Sequence, residues 1–493
     1  MNVPENWLRS FVDPKLATGK LAHLLTMSGL EVESYGPVAP PFAGVVVGEI
    51  LAVDPHPNAD KLTVCTVNAG RQTLKVVCGA PNVRPGMKAP LATVGTVLGP
   101  LEIKAAKLRG VDSHGMLCSA KELGLSDDHS GLLELPASAK PGEDVRRALE
   151  LDEQVLSFKL TPNRADCLSV LGVAREVAAL TGARLKHPEV TKVKPSGKSK
   201  HPVRISAPQG CGRFAGRVIR NVNAAAPTPA WMRHRLERAG QRSISALVDV
   251  TNYVMLELGR PLHVYDLDKL KGAIDVRWGR AGEKLLLLNG QQVEVDGEVL
   301  CITDDSGPIG LAGIMGGDST KAETGTKNLF LESAFFYPEA VAGRARRYNF
   351  ASDAAHRFER GVDFENNAPG IERATQLILE ICGGEPGPTV DLVKRLPKRR
   401  PVRIRVARAR KLLGIDVDAR EIESVFRRLG FSFRKHKDGF SVNPPSYRFD
   451  IEIEEDLIEE VARVHGFDRI PAHPPRAPAK MTAPPEARRS LHA

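Results

Sequence analysis

The chain has 493 residues, enough for roughly three or four domains with hydrophobic cores of their own. Its 69 Lys and Arg against 59 Asp and Glu give a net charge of +10, which fits a polyanionic partner but is also common in proteins that merely stay in solution. The seven cysteines are far apart without a CxxC pair, so we expect no disulfide framework and no zinc site, and we expect a reducing, cytoplasmic location. No run of about 18 apolar residues occurs, so we expect no membrane partner.

Two short helices are predicted within residues 1–38, and the second has apolar residues at helical spacing, among them Leu21, Leu24 and Leu25. An apolar helix face must pack against another part of the chain. The candidate partner is residues 151–190, which contain a further helix. We therefore expect 1–38 and 151–190 to form one discontinuous, helical, winged-helix-like domain.

Residues 39–150 differ in character, because short alternating runs such as VVVGEILAV and KLTVCTVNAG are separated by turn residues. This pattern predicts a small closed β-barrel of the oligonucleotide-binding (OB) type. Basic side chains scattered through it are candidates for following a phosphate backbone: Lys61, Lys104, Lys107, Arg109 and Lys121. An ordinary solvated surface is the alternative, since few aromatic residues are interleaved for base stacking.

After a basic linker, residues 203–391 are predicted to form an α+β domain. A helix in TPAWMRHRLERAG is expected to be capped by Thr228, and the next helix is expected to end at Gly259. Glu332 ends the apolar strand NLFLE, and a buried carboxylate must find a hydrogen-bond donor. His263 follows Pro-Leu, where a histidine is more often structural than catalytic.

Residues 399–475 indicate a second winged-helix-like module, for which nucleic-acid binding and simple packing both remain possible. Asp416 to Asp418 are expected to cap its middle helix. The proline-rich segment 476–493 is not expected to be packed.

The last helix of this module carries a group of acids: Asp450 at its predicted start, then Asp456, Glu459 and Glu460. Positions i, i+3 and i+4 share a helix face, so the last three repel one another. A hard divalent cation such as Mg²⁺, which takes oxygen ligands, would relieve that repulsion. The alternative is an acid-rich first turn that complements the helix dipole.

An internal repeat bears on this choice, because residues 164–182 align without a gap on residues 448–466. The pairs that agree are Arg164/Arg448, Asp166/Asp450, Glu176/Glu460, Val177/Val461, Ala178/Ala462 and Gly182/Gly466. The alignment predicts one structural unit used twice. Asp456 and Glu459 have no acidic counterpart in the first copy, which favours a local role over a requirement of the fold.

Longer stretches resemble a known family. PHPNADKLTVCTVNAG, VVCGAPNVRPGMKAPLATVG and KLRGVDSHGMLCSAKELGL resemble the tRNA-binding barrel in the beta chains of bacterial phenylalanyl-tRNA synthetase. TNYVMLELGRPLH, GIMGG, LESAFF and GRARRYNFASDAAHRFERGVD stand in the order of that family's editing domain. The resemblance implies a pocket that hydrolyses mischarged Tyr-tRNA(Phe), formed by Arg242, His263, Gly316, Glu332, Ser352 and Ala354. Ser352 stands where the family often has Thr, so the hydroxyl is retained.

The resemblance also implies that Asp450, Asp456, Glu459 and Glu460 are Mg²⁺ ligands shared with an alpha chain. It implies an α2β2 partnership with that chain, which would bind ATP and carry aminoacylation, and phenylalanine tRNA as the RNA partner. Family beta chains continue into catalytic-like and anticodon-binding domains. Two other classes of function stay open: a non-catalytic tRNA- or nucleic-acid-binding module and a structural subunit, neither of which would hydrolyse an ester.

Overall fold

Several sheets with distinct hydrophobic cores make up this chain. The structure, a computed structural model, describes residues 1–472, so the tail predicted at 476–493 lies outside the described residues. The mixed α+β, multidomain architecture predicted from the sequence is confirmed for this part. No helix within it has the length and apolar character needed to cross a membrane.

The N-terminal segment supplies two strands and two helices: β1 (Asn2–Pro4), α1 (Glu5–Phe11), α2 (Thr18–Thr26) and β2 (Glu31–Pro37). Leu21 and Leu25 of α2 are fully buried because residues four apart lie on one helix face. The helix face predicted from the sequence therefore packs inward.

A nearly closed, barrel-like sheet follows. Its elements are β3 (Val45–Pro55), β4 (Thr63–Asn68), β5 (Thr73–Cys78), β6 (Lys88–Ala92), β7 (Val97–Leu98), β8 (Leu101–Glu102), β9 (Ala106–Leu108), β10 (Val111–Ser113), β11 (Met116–Leu117) and α3 (Val145–Ala148). The antiparallel order is β11–β6–β3–β4–β5, and the edge strands β11 and β5 contact each other. Alternating residues such as Cys65 and Val67 point into the core.

The chain then returns to the N-terminal segment. Strand β12 (Gln154–Lys159) pairs with β1 on one side and β2 on the other, so the barrel-like sheet is inserted between two strands of a single sheet. Helix α4 (Val170–Thr181) begins where the Ser169 hydroxyl accepts a hydrogen bond from the Gly172 amide at 3.0 Å. It ends at Gly182, whose φ of 72° is the left-handed conformation of a helix C-cap.

The central region is the largest. Its elements are β13 (Val203–Ile205), β14 (Cys211–Arg220), α5 (Ala230–Arg238), α6 (Ala246–Leu258), β15 (His263–Asp266), β16 (Ile274–Trp278), β17 (Glu283–Leu286), β18 (Gln292–Val295), β19 (Leu300–Asp304), β20 (Gly307–Leu311), β21 (Met315–Gly316), β22 (Leu329–Phe336), α7 (Pro338–Val341), α8 (Arg344–Arg347), α9 (Asp353–Phe358), α10 (Asn367–Cys382), β23 (Glu385–Pro386) and β24 (Val390–Val393). One sheet has the order β15–β22–β14–β23 with β24 beside β14, and another has the order β13–β16–β19–β20–β21.

Strand β22 is buried along its whole length because both of its faces are covered. Leu329 and Leu331 point to the core that contains α6 and α10. Phe330 and Ala334 point the other way, to the core shared with the second sheet. Strand alternation therefore places Glu332 on the same face as Phe330, towards an apolar interior.

The prediction that Thr228 caps helix α5 is wrong. Helix α5 begins at Ala230 with Pro229 at its N-cap and no side-chain cap. The Thr228 hydroxyl instead donates to Oδ2 of the buried Asp249 at 2.5 Å, and the Ile244 amide donates to Oδ1 of the same carboxylate at 2.8 Å. A buried carboxylate without donors costs more free energy than a helix end without a cap, so the hydroxyl turns inward.

The C-terminal module contains β25 (Val402–Arg405), α11 (Val406–Leu413), α12 (Ala419–Arg428), β26 (Ser432–Lys435), β27 (Gly439–Asn443) and α13 (Glu454–His465). Its sheet has the order β25–β27–β26. Asp418 caps α12 by accepting a hydrogen bond from the Glu421 amide at 2.8 Å, as predicted. The last helix starts at Glu454 and not at Asp450, which lies four residues before it.

The internal repeat is confirmed as a repeated structural unit. In the first copy Arg164 donates to Asp166 at 3.0 Å and to Glu176 at 2.8 Å. In the second copy Arg448 donates to Asp450 at 2.7 and 2.9 Å and to Glu460 at 2.8 Å. Both arginines are buried, so each copy places one guanidinium between two carboxylates in the interior.

Arg463 joins the two copies. This buried residue stands at the position that Ala179 holds in the first copy. Its guanidinium donates to Glu460 within its own helix, with Nε to Oε1 at 2.6 Å, and also to both carboxylate oxygens of Glu176. Burial alone would raise the pKa of Glu460, but Arg463 and Arg448 outweigh it and hold that pKa well below its ordinary value. The N-terminal and C-terminal modules are thus connected by a buried ionic network.

Replacing Glu176 by Gln is expected to lower the free energy of unfolding by about 3 kcal/mol, because the buried Arg164 and Arg463 each lose a carboxylate partner. Urea unfolding followed by circular dichroism measures the change. Asp438→Asn is the control, because Asp438 pairs with Arg403 at the surface, with side chains 52% and 59% exposed, and should cost less than about 1 kcal/mol. Equal losses in the two variants would contradict the network's importance.

Candidate functional site

A small cavity of about 80 Å³ lies between strand β15, strand β22, the β20–β21 hairpin and helix α9. Its polar side chains are those of His263, Glu332 and Tyr265. The remaining lining is apolar or backbone and includes Leu311, Ile314, Met315, Gly316, Phe336, Ala354 and Phe358. The volume is smaller than the cavity of about 150 Å³ that admits a benzene molecule.

The pairing of strands places two of these polar residues side by side. His263 of β15 lies opposite Glu332 of β22 in the antiparallel register. Tyr265 lies two residues further along β15 and therefore on the same face as His263. The rings of His263 and Tyr265 meet edge to face, with centroids 4.4 Å apart and planes at 82°.

Glu332 is 6% exposed, and in the described residues its one hydrogen bond comes from the Tyr265 hydroxyl, at 2.5 Å from Oε2. Burial raises the pKa of Glu332 to about 7, and the hydrogen bond from Tyr265 opposes that rise. The carboxyl group therefore changes its protonation state near neutral pH, where it is able to act as an acceptor or as a donor.

His263 presents a neutral imidazole to the cavity. Its Nε2 is buried and has no hydrogen-bond partner in the described residues. Burial lowers the pKa of His263 to about 4, so the ring is uncharged at neutral pH. The ring lies against Gly316, where an added Cβ would be only 2.4 Å from Cε1 of the histidine. Glycine at this position is what leaves room for the imidazole.

Of the other residues predicted for this pocket, Ala354 lines the cavity, whereas Ser352 and Arg242 do not. The Ser352 hydroxyl caps α9 by accepting from the Ala355 amide at 3.0 Å, and it donates to the Ile314 carbonyl at 2.7 Å. It therefore anchors the loop that leads to Gly316. Arg242 is exposed in the loop before α6 and is not brought to the cavity.

Tyr265 is a residue of the site that was not identified from the sequence. The apolar strand around Glu332 predicted that this acid needs a donor but not which residue supplies it. The sequence did contain a sign that Tyr265 belongs to the site. His263 and Tyr265 are two positions apart in a short strand, and residues two apart in a strand lie on the same face.

A larger cleft of about 500 Å³ lies beyond helix α9. Ser352, Asp353, His356 and Arg357 line it from α9 and its cap, and Met1, Asn2, Leu168, Ala239, Gly240, Gln241, Leu256 and Ala351 complete the lining. Arg357 is 3% exposed and donates to the Asp353 carboxylate at 2.8 Å. Helix α9 is thus a wall common to the small cavity and to a polar cleft.

The basic residues predicted to bind nucleic acid are all exposed on the barrel-like sheet and its turns. The loop that carries Lys61 contacts the β9–β10 turn, since the Asn58 side chain donates to the Arg109 carbonyl at 3.0 Å. Lys61 and Arg109 therefore lie on adjoining segments, and Lys107 lies on β9 of the same hairpin. Lys104 is paired with Glu102 at 2.9 Å, and Lys121 lies in a separate turn after β11.

The ligand atoms of the acids predicted to bind Mg²⁺ are not gathered into one cluster in this arrangement. Asp450 and Glu460 are occupied by Arg448, and Asp456 accepts hydrogen bonds from the Glu452 and Ile453 amides at 2.8 Å. Glu459 is exposed. Within residues 1–472, no three of these four acids bring ligand atoms within 4.8 Å of one another. Their oxygen donors suit Mg²⁺ chemically, but the arginines already supply the positive charge.

Asp166, Cys167 and Glu176 do gather within 4.8 Å, as the one such group in residues 1–472. Arg164 donates to both carboxylates, and burial raises the pKa of the Cys167 thiol well above its ordinary value. A protonated thiol and two carboxylates that already share a guanidinium do not make a metal site.

Comparisons with known protein families match three stretches of the chain. Residues 45–144 match a tRNA binding domain, residues 210–383 a B3/4 domain, and residues 402–467 a tRNA synthetase B5 domain. The whole chain is 58% identical over 501 residues to a phenylalanine–tRNA ligase beta subunit from Burkholderia pseudomallei (strain 1710b), and it is 59% identical over 505 and 495 residues to those of Cupriavidus pinatubonensis and Bordetella bronchiseptica.

In each of these comparisons the chain spans 62% of the length of the relative. An N-terminal fragment of the phenylalanyl-tRNA synthetase beta subunit from Pyrococcus horikoshii aligns with 94% of this chain, while 99% of that fragment is covered, with 11% identity and a TM-score of 0.40. That likeness is too weak to support an assignment of the fold. By the sequence matches, the chain is similar over its whole length to phenylalanine–tRNA ligase beta subunits, of which it matches the N-terminal portion.

Proposed function

We propose that this chain supplies tRNA binding and hydrolytic editing of mischarged Tyr-tRNA(Phe) to a phenylalanine–tRNA ligase. The observation that carries the proposal is the apolar cavity in which Nε2 of His263 has no partner among the described residues and Glu332 is buried beside it. An apolar pocket with two polar groups that still have bonding capacity selects a ligand that is apolar except for one hydroxyl. The side chain of tyrosine is such a ligand.

The need for a second selection step follows from binding energies. A site built for phenylalanine rejects an added hydroxyl by only about 10²-fold. A pocket that hydrogen-bonds the hydroxyl works in the opposite sense, because phenylalanine offers no partner to Nε2 of His263 or to the second carboxylate oxygen of Glu332. Each buried polar group left unpaired costs roughly 1–3 kcal/mol. The pocket therefore binds tyrosine esters more tightly than phenylalanine esters, and phenylalanine esters are not hydrolysed.

Hydrolysis is assigned to a water molecule and not to a protein nucleophile. The Ser352 hydroxyl is engaged with Ile314 and Ala355, so it is not free to attack an ester. Gly316 and Ala354 line the cavity. Backbone groups at Gly316 and in the Ser352–Ala354 turn are the proposed donors that orient the water and stabilise the oxyanion. No covalent intermediate is needed.

The parts of the chain take on roles by the same proposal. The barrel-like sheet at 39–150 is an OB-type tRNA-binding domain, supported by its nearly closed sheet and by the family match over 45–144. Residues 203–391 are the editing domain, supported by the B3/4 match. Residues 1–38 with 151–190, and residues 399–475, are winged-helix-like modules. Aminoacylation with ATP belongs to an alpha chain in an α2β2 assembly.

Gly316→Ala and His263→Ala are expected to lower the hydrolysis of Tyr-tRNA(Phe) at least tenfold and to leave tRNA binding unchanged. The added methyl group would displace the imidazole, and the second change removes a partner of the phenol. Release of labelled tyrosine, with Phe-tRNA as a parallel substrate, measures the effect. Gly297→Ala is the control, since its Cβ would meet nothing within 4 Å. Undiminished hydrolysis in both pocket variants would refute the assignment, and a wild type inactive even with the alpha chain would favour a binding or structural subunit.

Lys107→Ala and Arg109→Ala are expected to weaken tRNA binding and to reduce the slope of log Kobs against log salt concentration by roughly 0.7–0.9 for each phosphate that is no longer neutralised. Filter binding over a series of salt concentrations measures both effects. Lys284→Ala is the control, because this exposed lysine lies on β17 of the central region. A slope unchanged in both barrel variants would place the RNA elsewhere.

Mg²⁺ at millimolar concentration is expected to raise the melting temperature of this chain no more than NaCl of equal ionic strength does. Arg448 already neutralises Asp450 and Glu460, so a cation would have to displace a buried guanidinium. Differential scanning fluorimetry with and without EDTA measures the effect. A rise specific to Mg²⁺ that disappears in Glu459→Ala would show that the acids do bind the ion.

A further inference from the structure

The carboxyl group of Glu332 has an unusual environment for a buried acid. Its one hydrogen bond in the described residues comes from the Tyr265 hydroxyl, and no arginine or lysine among them faces it. The groups packed around it are the neutral imidazole of His263 on β15, the thiol of Cys211 on β14, and Gly216 directly opposite on the same strand. A single phenol therefore determines where this carboxyl group points.

Tyr265 itself has little freedom to move. It is 1% exposed and lies between the His263 ring, at 4.4 Å between centroids, and the Phe330 ring, at 6.4 Å. Its hydroxyl engages Oε2 of Glu332, which leaves Oε1 without a partner in the described residues. A fixed donor on one carboxylate oxygen keeps the other available to a ligand.

We propose that Tyr265 is a positioning residue for hydroxyl recognition: it orients Glu332 and keeps it available as an acceptor for the phenol of a tyrosyl ester. The inference rests on the proposed editing function and adds a residue to it. Tyr265 lines the cavity with its hydroxyl hydrogen-bonded to Glu332, and its proposed role is exerted through Glu332. Without its hydroxyl, the buried carboxyl group would rotate freely and hold its proton at higher pH.

The sign of the effect follows from the direction of each contribution. Burial raises the pKa of Glu332, and the Tyr265 hydrogen bond lowers it. Removing the phenol therefore raises the pKa further. If hydrolysis requires the ionised carboxylate, the acidic limb of its pH profile moves to higher pH.

The test compares pH profiles of kcat/KM for Tyr-tRNA(Phe) hydrolysis, with the rate of Glu332→Gln subtracted as background. In Tyr265→Phe the acidic midpoint is expected to rise by about one pH unit, with activity below that midpoint falling about tenfold. Tyr348→Phe is the matched control, since its hydroxyl donates to the Glu294 carbonyl at 3.0 Å, away from Glu332. Tyr265→Gln retains a donor and should stay nearer the wild-type midpoint.

A second readout does not depend on hydrolysis. The infrared carboxyl band of Glu332, assigned by its loss in Glu332→Gln, is titrated in the wild type, in Tyr265→Phe and in Tyr265→Gln. A higher midpoint in Tyr265→Phe supports the positioning role, and equal midpoints overturn it whether or not the protein is active. A wild type that titrates as expected but does not hydrolyse the ester would refute the editing function alone. If Tyr265→Phe fails to fold, the wild type is compared with Tyr265→Gln instead. A carboxyl midpoint in the wild type as high as that expected for a buried carboxyl group without a hydrogen-bond donor overturns the inference.

Discussion

The contact between Arg463 and Glu176 connects the two ends of the described chain. Seven charged groups are withdrawn from water in this network, and their desolvation is offset only because every carboxylate faces a guanidinium. Since the folded pKa of Glu460 lies well below its unfolded value, its contribution to stability is fully present above about pH 4.3 and is lost as the pH falls through the folded pKa.

Two buried glutamates show how the partner, and not burial itself, decides the role of an acid. Glu460 and Glu332 are 2% and 6% exposed. Two arginines keep Glu460 ionised, whereas Glu332 has a phenol, and its pKa is raised to about 7. The first acid has fixed charge and fixed contacts, which suits a structural role. The second acid titrates near neutral pH and has one carboxyl oxygen without a hydrogen-bond partner in the described residues, which suits recognition of a ligand.

Local patterns predicted the elements of the fold better than they predicted contacts between elements. Asp418 caps its helix because a cap involves only residues three apart, whereas Thr228 turns to a carboxylate 21 positions away. The need of Glu332 for a donor was visible in the sequence, but Tyr265 depends on the register of two strands 67 positions apart. The resemblance to a family suggested Arg242 for the pocket, but its loop reaches the other side of α9, where the neighbouring Gln241 donates to Asp353 at 2.6 Å.

Nε2 of His263 has no partner among the described residues, and in the proposed function it is an atom that the ligand hydroxyl engages. A buried polar atom without a partner costs roughly 1–3 kcal/mol, and a small apolar side chain would avoid that cost. Position 316 is a glycine, which leaves room for the imidazole. Glycine has more conformational freedom in the unfolded chain than other residues, so ordering it adds an entropic cost to folding. Both costs are offset only when something donates to or accepts from Nε2. In the proposed function a ligand hydroxyl that reaches the cavity does so and a ligand without one does not, and this difference is the source of the proposed selectivity.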